Sequence, residues 1–224
     1  MGFYRLHIVR PIMSDRRKQE LCLDAIEHSF SMASIAYDRV VHYCRHHAEA
    51  NDPNLDYALV LDAWSFVDVA KRLRSVLEHT PGVKNAPALV AFLRTTEDIV
   101  DFRDYVQHLE ERTSTIAPTG RPIWGSLSWV ALSPDGSSFK VTTYVPGRLA
   151  KTKGIPVVNP AGREFHSDID HFGLTVDDVT LNLSEMSRRI DRLRERFSAA
   201  VKAAGQRTTR SGETILSIDL DDAP

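Results

Sequence analysis

The chain has 224 residues, of which 42% are hydrophobic and 26% are charged, and its 28 Lys and Arg residues nearly balance 30 Asp and Glu residues. This composition is typical of soluble globular proteins with one large or two small domains. The net charge of -2 argues against a protein whose whole surface binds nucleic acid, and it leaves a local basic patch open.

Several features predict a cytoplasmic protein that does not contact a membrane. No run of the sequence approaches the ~18 consecutive apolar residues of a membrane span, and residues 1–5 lack the apolar core of a signal peptide. Cys22 and Cys44 fall in one predicted helix, roughly 33 Å apart at ~1.5 Å per residue. They cannot pair within that helix, as expected of reduced cytosolic thiols.

The first half of the chain is predicted to be helical after a strand-like segment over residues 3–9. Helices are predicted over about Ser14–Ala50, Leu55–His79 and Pro87–Thr115, with breaks at residues 51–53 and 81–82, where prolines interrupt the pattern. In the third helix the apolar stripe is formed by Ile99, Phe102, Val106 and Leu109. Three long helices with short breaks predict an antiparallel bundle.

The pattern changes near residues 117–122, where two prolines and a glycine predict a domain boundary between residues 1–116 and 117–224. Downstream, the sequence predicts a hairpin of Trp124–Leu132 with Phe139–Val145, a second hairpin of Ile155–Val158 with Glu164–His166, a helix from an N-cap at Ser184 to Ala204, and a last strand at Thr214–Leu220. The predicted fold class is therefore α+β, with an N-terminal antiparallel helical bundle followed by a small β-hairpin and helix module.

Arg103, Asp104 and His108, late in the third predicted helix, form the main candidate site. With ~100° of rotation per residue, Asp104 and His108 point away from the apolar stripe, while Arg103 lies at its edge, about 140° from His108. The four-residue spacing allows the Asp104 carboxylate to accept a hydrogen bond from one imidazole nitrogen and leave the other to handle protons.

The segment Arg103-Asp104-Tyr105-Val106-Gln107-His108 resembles the Arg-polar-x-x-x-His motif of the HEPN superfamily, whose helical-bundle members include metal-independent ribonucleases and non-catalytic relatives. The resemblance covers about residues 14–115. It implies a homodimer in which two copies share a cleft, and an endoribonuclease of toxin or defence type that needs no cofactor. It also leaves room for a companion protein that neutralises the activity.

In the implied reaction, a ribose 2′-OH attacks the adjacent phosphate while His108 moves protons, Arg103 stabilises the pentavalent charge and Asp104 orients His108. Two other interpretations stay open. The same residues are typical of an ordinary polar helix face, and a non-catalytic bundle would use this face to bind RNA or a partner protein.

Basic residues of the C-terminal helix suggest a second RNA contact, and the alternative is a solubilising face. The candidates are Arg188, Arg189, Arg192 and Arg196.

The remaining candidates have ordinary structural explanations. Asp38, His42 and His46 have a spacing that suits a metal ion but is more typical of a solvated helix face. The loop of residues 166–171 also collects ligand-type residues but without a rigid spacing, so no metal site is predicted. Asp68 and Arg72 form an i, i+4 pair beside Trp64, which is most simply an ion pair over an aromatic ring; the alternative is that both line the same cleft as Arg103.

Trp124 and Trp129 lie five residues apart in a predicted strand, so one is expected in the core. The other is expected to be exposed, where base stacking is one of its alternatives.

Overall fold

A computed structural model describes residues 16–46, 53–83, 86–116, 120–147, 160 and 162–203 of the chain. Within these residues it contains six helices and a four-stranded antiparallel sheet, which confirms the predicted α+β class. None of the helices in this part of the chain is both long and apolar enough to cross a membrane.

Two long helices, α1 (Arg16–His46) and α2 (Pro53–His79), form an antiparallel pair as predicted. The start of α1 meets the end of α2, where Gln19 Nε2 donates a hydrogen bond to the Pro81 carbonyl at 3.0 Å. Further along the pair, Arg39 Nε lies 3.0 Å from the Asp62 carboxylate. The predicted extensions of the first helix, residues 14–15 and 47–50, lie outside the described residues.

The third predicted helix is three shorter ones: α3 (Pro87–Thr95), α4 (Asp98–Gln107) and α5 (Leu109–Ile116). The prediction of one continuous helix was therefore wrong. At the first break, the buried Arg74 of α2 donates hydrogen bonds to the Leu93 carbonyl and to the Thr96 hydroxyl, which itself donates to the Phe92 carbonyl. These partners satisfy groups at the end of α3 that a continuing helix would have used, so the chain turns there.

The sheet has the order β2-β1-β3-β4, with strands β1 (Ser126–Leu132), β2 (Phe139–Tyr144), β3 (Ile169–Val176) and β4 (Val179–Asn182). The first predicted hairpin is confirmed as β1–β2. The second was placed wrongly: residues 164–166 form no strand, and β3 pairs with β4 instead. Residues 155–158 and the predicted strand at 214–220 lie outside the described residues.

Helix α6 (Leu183–Ala203) follows β4 directly and packs on β3 and α1. Its predicted N-cap at Ser184 was wrong by two residues, because the Asn182 side chain accepts the hydrogen bond from the Glu185 amide at 2.9 Å. Ser184 is buried instead and accepts hydrogen bonds from the Phe172 amide and the Tyr37 hydroxyl. Residues from both predicted domains thus share one core, and the division into two domains stays a prediction.

The turn before β1 is held against the helices by two helix side chains that donate hydrogen bonds to its main-chain carbonyls. Tyr105 donates a hydrogen bond to the Ile123 carbonyl at 3.0 Å, and the Trp64 indole donates one to the Trp124 carbonyl at 3.1 Å. Gly125 completes the turn with φ +74°, and a Cβ at this position would overlap the Thr175 carbonyl of β3. Glycine is therefore required here both by the backbone conformation and by the close approach of β3.

We expect Gly125→Ala to lower the free energy of unfolding by about 1–3 kcal/mol more than Gly136→Ala. Both glycines have positive φ, so each variant carries a left-handed backbone penalty of about 1–2 kcal/mol, but no atom lies within 4 Å of a Cβ at Gly136. Urea unfolding of the two variants measures the difference, and equal losses would contradict the overlap with Thr175.

Candidate functional site

Arg103 and Arg72 are held by one carboxylate. The Arg103 Nε lies 3.5 Å from Asp68 Oδ1, and the Arg72 Nε donates to Asp68 Oδ2 at 2.7 Å. The predicted ion pair of Asp68 with Arg72 is confirmed, and Arg103 of α4 contacts the same carboxylate. The terminal nitrogens of both arginines make no hydrogen bond to any residue that the structure describes. We call these three residues the Asp68 cluster, and its free nitrogens are donors for an anion.

Helix packing explains why Arg103 faces α2. Ile99, Phe102 and Tyr105 form the buried side of α4 and fix its rotation, so that Arg103 lies at the margin of the core. The Arg103 side chain is 29% exposed, which limits its freedom while leaving access for a ligand. The predicted position at the edge of the apolar stripe is therefore confirmed.

His108 lies at the break between α4 and α5 and outside both helices. Its amide donates to the Asp104 carbonyl at 3.1 Å, and its imidazole Nδ1 lies 3.4 Å from the Glu111 carboxylate. The predicted hydrogen bond between the Asp104 and His108 side chains is not among the contacts of the described residues. The His108 imidazole lies against the Glu111 carboxylate instead, and only the His108 amide keeps an i, i+4 hydrogen bond, to the Asp104 carbonyl.

The surface around this site carries an excess of negative charge. Helices α4 and α5 expose five carboxylates against two guanidinium groups, Arg103 and Arg112; the carboxylates belong to Asp98, Asp101, Asp104, Glu110 and Glu111. Arg112 is itself engaged, with its guanidinium 5.0 Å from the Tyr105 ring centroid and 4.0 Å from the Asp177 carboxylate. A polyanion approaching this face therefore meets repulsion outside the Asp68 cluster.

Three of the four candidate arginines of α6 converge on Glu185. Its carboxylate receives Arg188 at 3.4 Å, Arg189 at 3.0 Å and Arg192 at 3.1 Å. Burial alone would raise the pKa of Glu185, but the hydrogen bond and charge of Arg189 and the charge of Arg192 outweigh it and lower that pKa. Arg196 is exposed. Much of the predicted basic patch is thus neutralised within the chain, and its contact with RNA stays a prediction.

A buried polar cluster that the sequence did not predict lies where β3 contains a bulge. Ser128 of β1 pairs with Gly173, whereas Val130 pairs with Asp170, so β3 carries one extra residue. The Asp170 carboxylate accepts hydrogen bonds from the His166 and His171 amides and from Arg188. Burial opposes the ionised form, but these donors and the Arg188 charge together lower the pKa of Asp170.

His171, the next residue, has a left-handed backbone with φ +56° and is only 2% exposed. Neither imidazole nitrogen has a hydrogen-bond partner in the described part of the chain, and the ring packs edge-on against Phe165 at 4.5 Å. Burial lowers the pKa of His171, against the opposing charge of Asp170. A segment rich in potential ligands is therefore a structural bulge with a neutral, unpaired imidazole.

The other sequence candidates separate in the structure. His42 and His46 lie with ring centroids 4.6 Å apart on α1, but no group of three metal-ligating side chains is arranged to hold a metal within the residues that the structure describes. Trp129 is buried and Trp124 is 43% exposed, which confirms that one tryptophan belongs to the core and the other to the surface.

Comparison of the chain with protein-family models, with curated proteins and with solved structures found no match. The HEPN resemblance therefore stays a prediction from the motif.

The bulge makes stability sensitive to pH in a defined window. The pKa of His171 is lower in the folded state than the ordinary value of about 6.5, so the unfolded chain binds more protons in mild acid. The stability linked to His171 is therefore fully present above about pH 7, and the free energy of unfolding falls as the pH drops through 6.5 toward the folded-state pKa. We expect His171→Leu to show a smaller loss between pH 7 and pH 5 than the parent in urea unfolding.

Asp170 does not obscure this measurement, because its pKa is lowered from 3.8 and the stability linked to it is lost only in stronger acid. Parallel pH dependences of the parent and His171→Leu between pH 7 and pH 5 would contradict the assignment.

Proposed function

We propose that the protein is a HEPN-like, metal-independent endoribonuclease of toxin or defence type, which binds an RNA phosphate at Arg103 and Arg72. The observation that carries this proposal is the Asp68 cluster. One carboxylate holds both guanidinium groups through Nε, so their terminal nitrogens remain as donors for a phosphate oxygen. Guanidinium groups bind phosphate in a planar, bidentate geometry, and an orienting carboxylate reduces the freedom lost on binding.

His108 supplies the proton transfer in this proposal. The Glu111 carboxylate lies 3.4 Å from His108 Nδ1, so a proton on Nδ1 leaves Nε2 as the base, and Glu111 takes the orienting role first expected of Asp104. His108 accepts the proton of the ribose 2′-OH as the 2′-oxygen attacks phosphorus. The bond between phosphorus and the 5′-oxygen then breaks, and the protonated His108 gives a proton to that oxygen. Arg103 stabilises the charge of the pentavalent intermediate.

A homodimer completes the proposed site. His108 lies beyond the end of α4 and Arg103 faces α2, so the two side chains leave the helix in different directions. A two-fold axis beside α4 would bring His108 of one copy to Arg103 of the other. A companion protein that neutralises the activity stays a prediction.

Cleavage of RNA in the presence of EDTA tests the proposal. We expect His108→Ala to lower the cleavage rate at least about 100-fold, the effect of a general acid–base group, and Arg103→Ala to lower it comparably. His79→Ala is the matched control, because His79 is another exposed histidine whose Nδ1 hydrogen-bonds the Ser75 carbonyl. Undiminished cleavage by His108→Ala, or no cleavage by the parent, would overturn the enzymatic proposal.

The second candidate is a non-catalytic protein that binds a basic segment of a partner protein through the same face. The excess of carboxylates on α4 and α5 favours it, because these groups attract cations and repel phosphates. Under this alternative the parent does not cleave RNA and binds a Lys-rich peptide in a salt-sensitive manner.

The peptide measurement has a matched control. We expect the double variant Glu110→Gln, Glu111→Gln to weaken peptide binding severalfold, and Asp191→Asn, Glu195→Gln on α6 to leave it unchanged. If the two double variants bind the peptide equally, the carboxylates of α5 do not contribute to this binding.

A further inference from the structure

Residues 162–168, which we call the strap, cross the surface immediately before β3. They form neither helix nor strand, and all of them are exposed except Phe165, which is half-buried. A segment with so few buried side chains depends on individual contacts for its position.

The middle of the strap is held on β3 by Phe165 and His166. The Phe165 ring meets the His171 ring edge-on, with 4.5 Å between the two centroids. The His166 amide donates a hydrogen bond to Asp170 Oδ2 at 3.1 Å. Phe165 is therefore the side chain of the strap that packs on the buried imidazole.

The end of the strap nearest β3 is anchored separately, through Asp168. The Arg45 guanidinium at the end of α1 donates to the Asp168 carboxylate at 2.8 Å, and the Leu132 amide of β1 donates to the Asp168 carbonyl at the same distance. Neither hydrogen bond involves His171. This end can therefore stay in place while the middle of the strap moves.

His171 is poorly accommodated beneath Phe165 once it is protonated. It is 2% exposed, and neither ring nitrogen has a hydrogen-bond partner in the part of the chain that the structure describes. A neutral imidazole has one donor and one acceptor, whereas an imidazolium has two donors and a charge. Burial of a charge without hydrogen-bond partners is costly, so the closed strap opposes protonation of His171.

The charged groups around His171 offer an imidazolium no acceptor. Asp170 of β3 is the neighbouring anion, and a carboxylate has about four acceptor positions. These are filled: Oδ1 accepts from the His171 amide and from Arg188 of α6, and Oδ2 accepts from the His166 amide and again from Arg188. The other charges that act on the ring are positive in mild acid and belong to Arg163, His166 and Arg188.

We propose that the strap is a pH-sensitive latch, in which a proton on His171 displaces the Phe165 ring and the middle of the strap lifts away from β3. In the lifted position water reaches the imidazolium and supplies the acceptors that the closed position lacks. The sheet, the helices and the anchor at Asp168 stay in place, because a local opening breaks fewer contacts than global unfolding. Mild acid thereby exposes Phe165, and this device does not depend on the activity proposed above.

Proton linkage gives the size of the effect. In the lifted position His171 is solvated and titrates near its ordinary pKa of about 6.5, whereas the closed strap holds that pKa lower. The lifted form therefore binds more protons, and a fall in pH favours it. The ratio of lifted to closed strap rises about tenfold between pH 7.5 and pH 5.5.

Hydrogen exchange followed by NMR measures this ratio at single amides, with each rate normalised to that of an unstructured peptide at the same pH. The reporter is the His166 amide, whose hydrogen bond to Asp170 breaks when the strap lifts. The reference is the Leu132 amide, whose hydrogen bond to Asp168 is kept. We expect protection of the His166 amide to fall about tenfold from pH 7.5 to pH 5.5, and that of Leu132 to stay unchanged.

Two variants assign the effect to one imidazole. His171→Asn cannot titrate, and asparagine tolerates the left-handed backbone at this position, so we expect equal protection of the reporter amide at both pH values. His166→Gln is the matched control, because it removes the other histidine of the region and keeps the reporter amide. We expect the tenfold fall to remain in this control. Protection of the Leu132 amide shows that each variant is folded.

Equal protection of the reporter amide at pH 7.5 and pH 5.5 in the parent overturns the latch, as does a tenfold fall that persists in His171→Asn. Loss of the fall in His166→Gln assigns the titration to His166 and also overturns it. A parallel fall at Leu132 has the same meaning, since the strap then opens only together with the sheet. A fall confined to the reporter amide, lost in His171→Asn and kept in His166→Gln, supports the latch.

Discussion

The buried guanidinium of Arg74 fixes the direction of the helix on which the candidate site lies. It is 7% exposed, donates to the Leu93 carbonyl and the Thr96 hydroxyl, and approaches Glu78 at 3.7 Å. Burial lowers its pKa, and the neighbouring charges of Glu78 and Glu97 oppose that shift. A buried cation is tolerated only when its donors are satisfied, so the chain must break at Thr96 to offer these acceptors. The same break starts α4 at the angle that brings Arg103 to Asp68.

The arginines of this chain differ in function because their carboxylates differ. Glu185 binds three arginines of its own helix, α6, and Arg188 also donates to Asp170 of β3, which accepts further hydrogen bonds from the main chain. Asp68 is shared by two arginines through Nε alone. A count of basic residues along the sequence therefore does not give the number of donors left for a ligand, since that number depends on which guanidinium nitrogens already make hydrogen bonds.

The sequence predicted the elements whose signals are local. Helical periodicity located α1, α2 and α6, and the turn at residues 133–136 located the first hairpin. The break at Thr96 depends on Arg74, 22 residues away, and has no proline or glycine to mark it. Strand β3 is buried along its whole length and includes Asp170 and His171. Its sequence therefore shows neither the alternation of polar and apolar residues nor the apolar run by which strands are recognised. The sequence could suggest the proximity of Arg103 and Asp68 only as one of two alternatives, because 35 residues separate them along the chain.

The charge around the Asp68 cluster limits how strongly any polyanion can bind there. The carboxylates of α4 and α5 lie along the helices that carry Arg103 and His108, and the screening length of about 8 Å at physiological salt does not remove their influence over such short separations. Attraction at long range is therefore weak, and two guanidinium groups supply little affinity on their own.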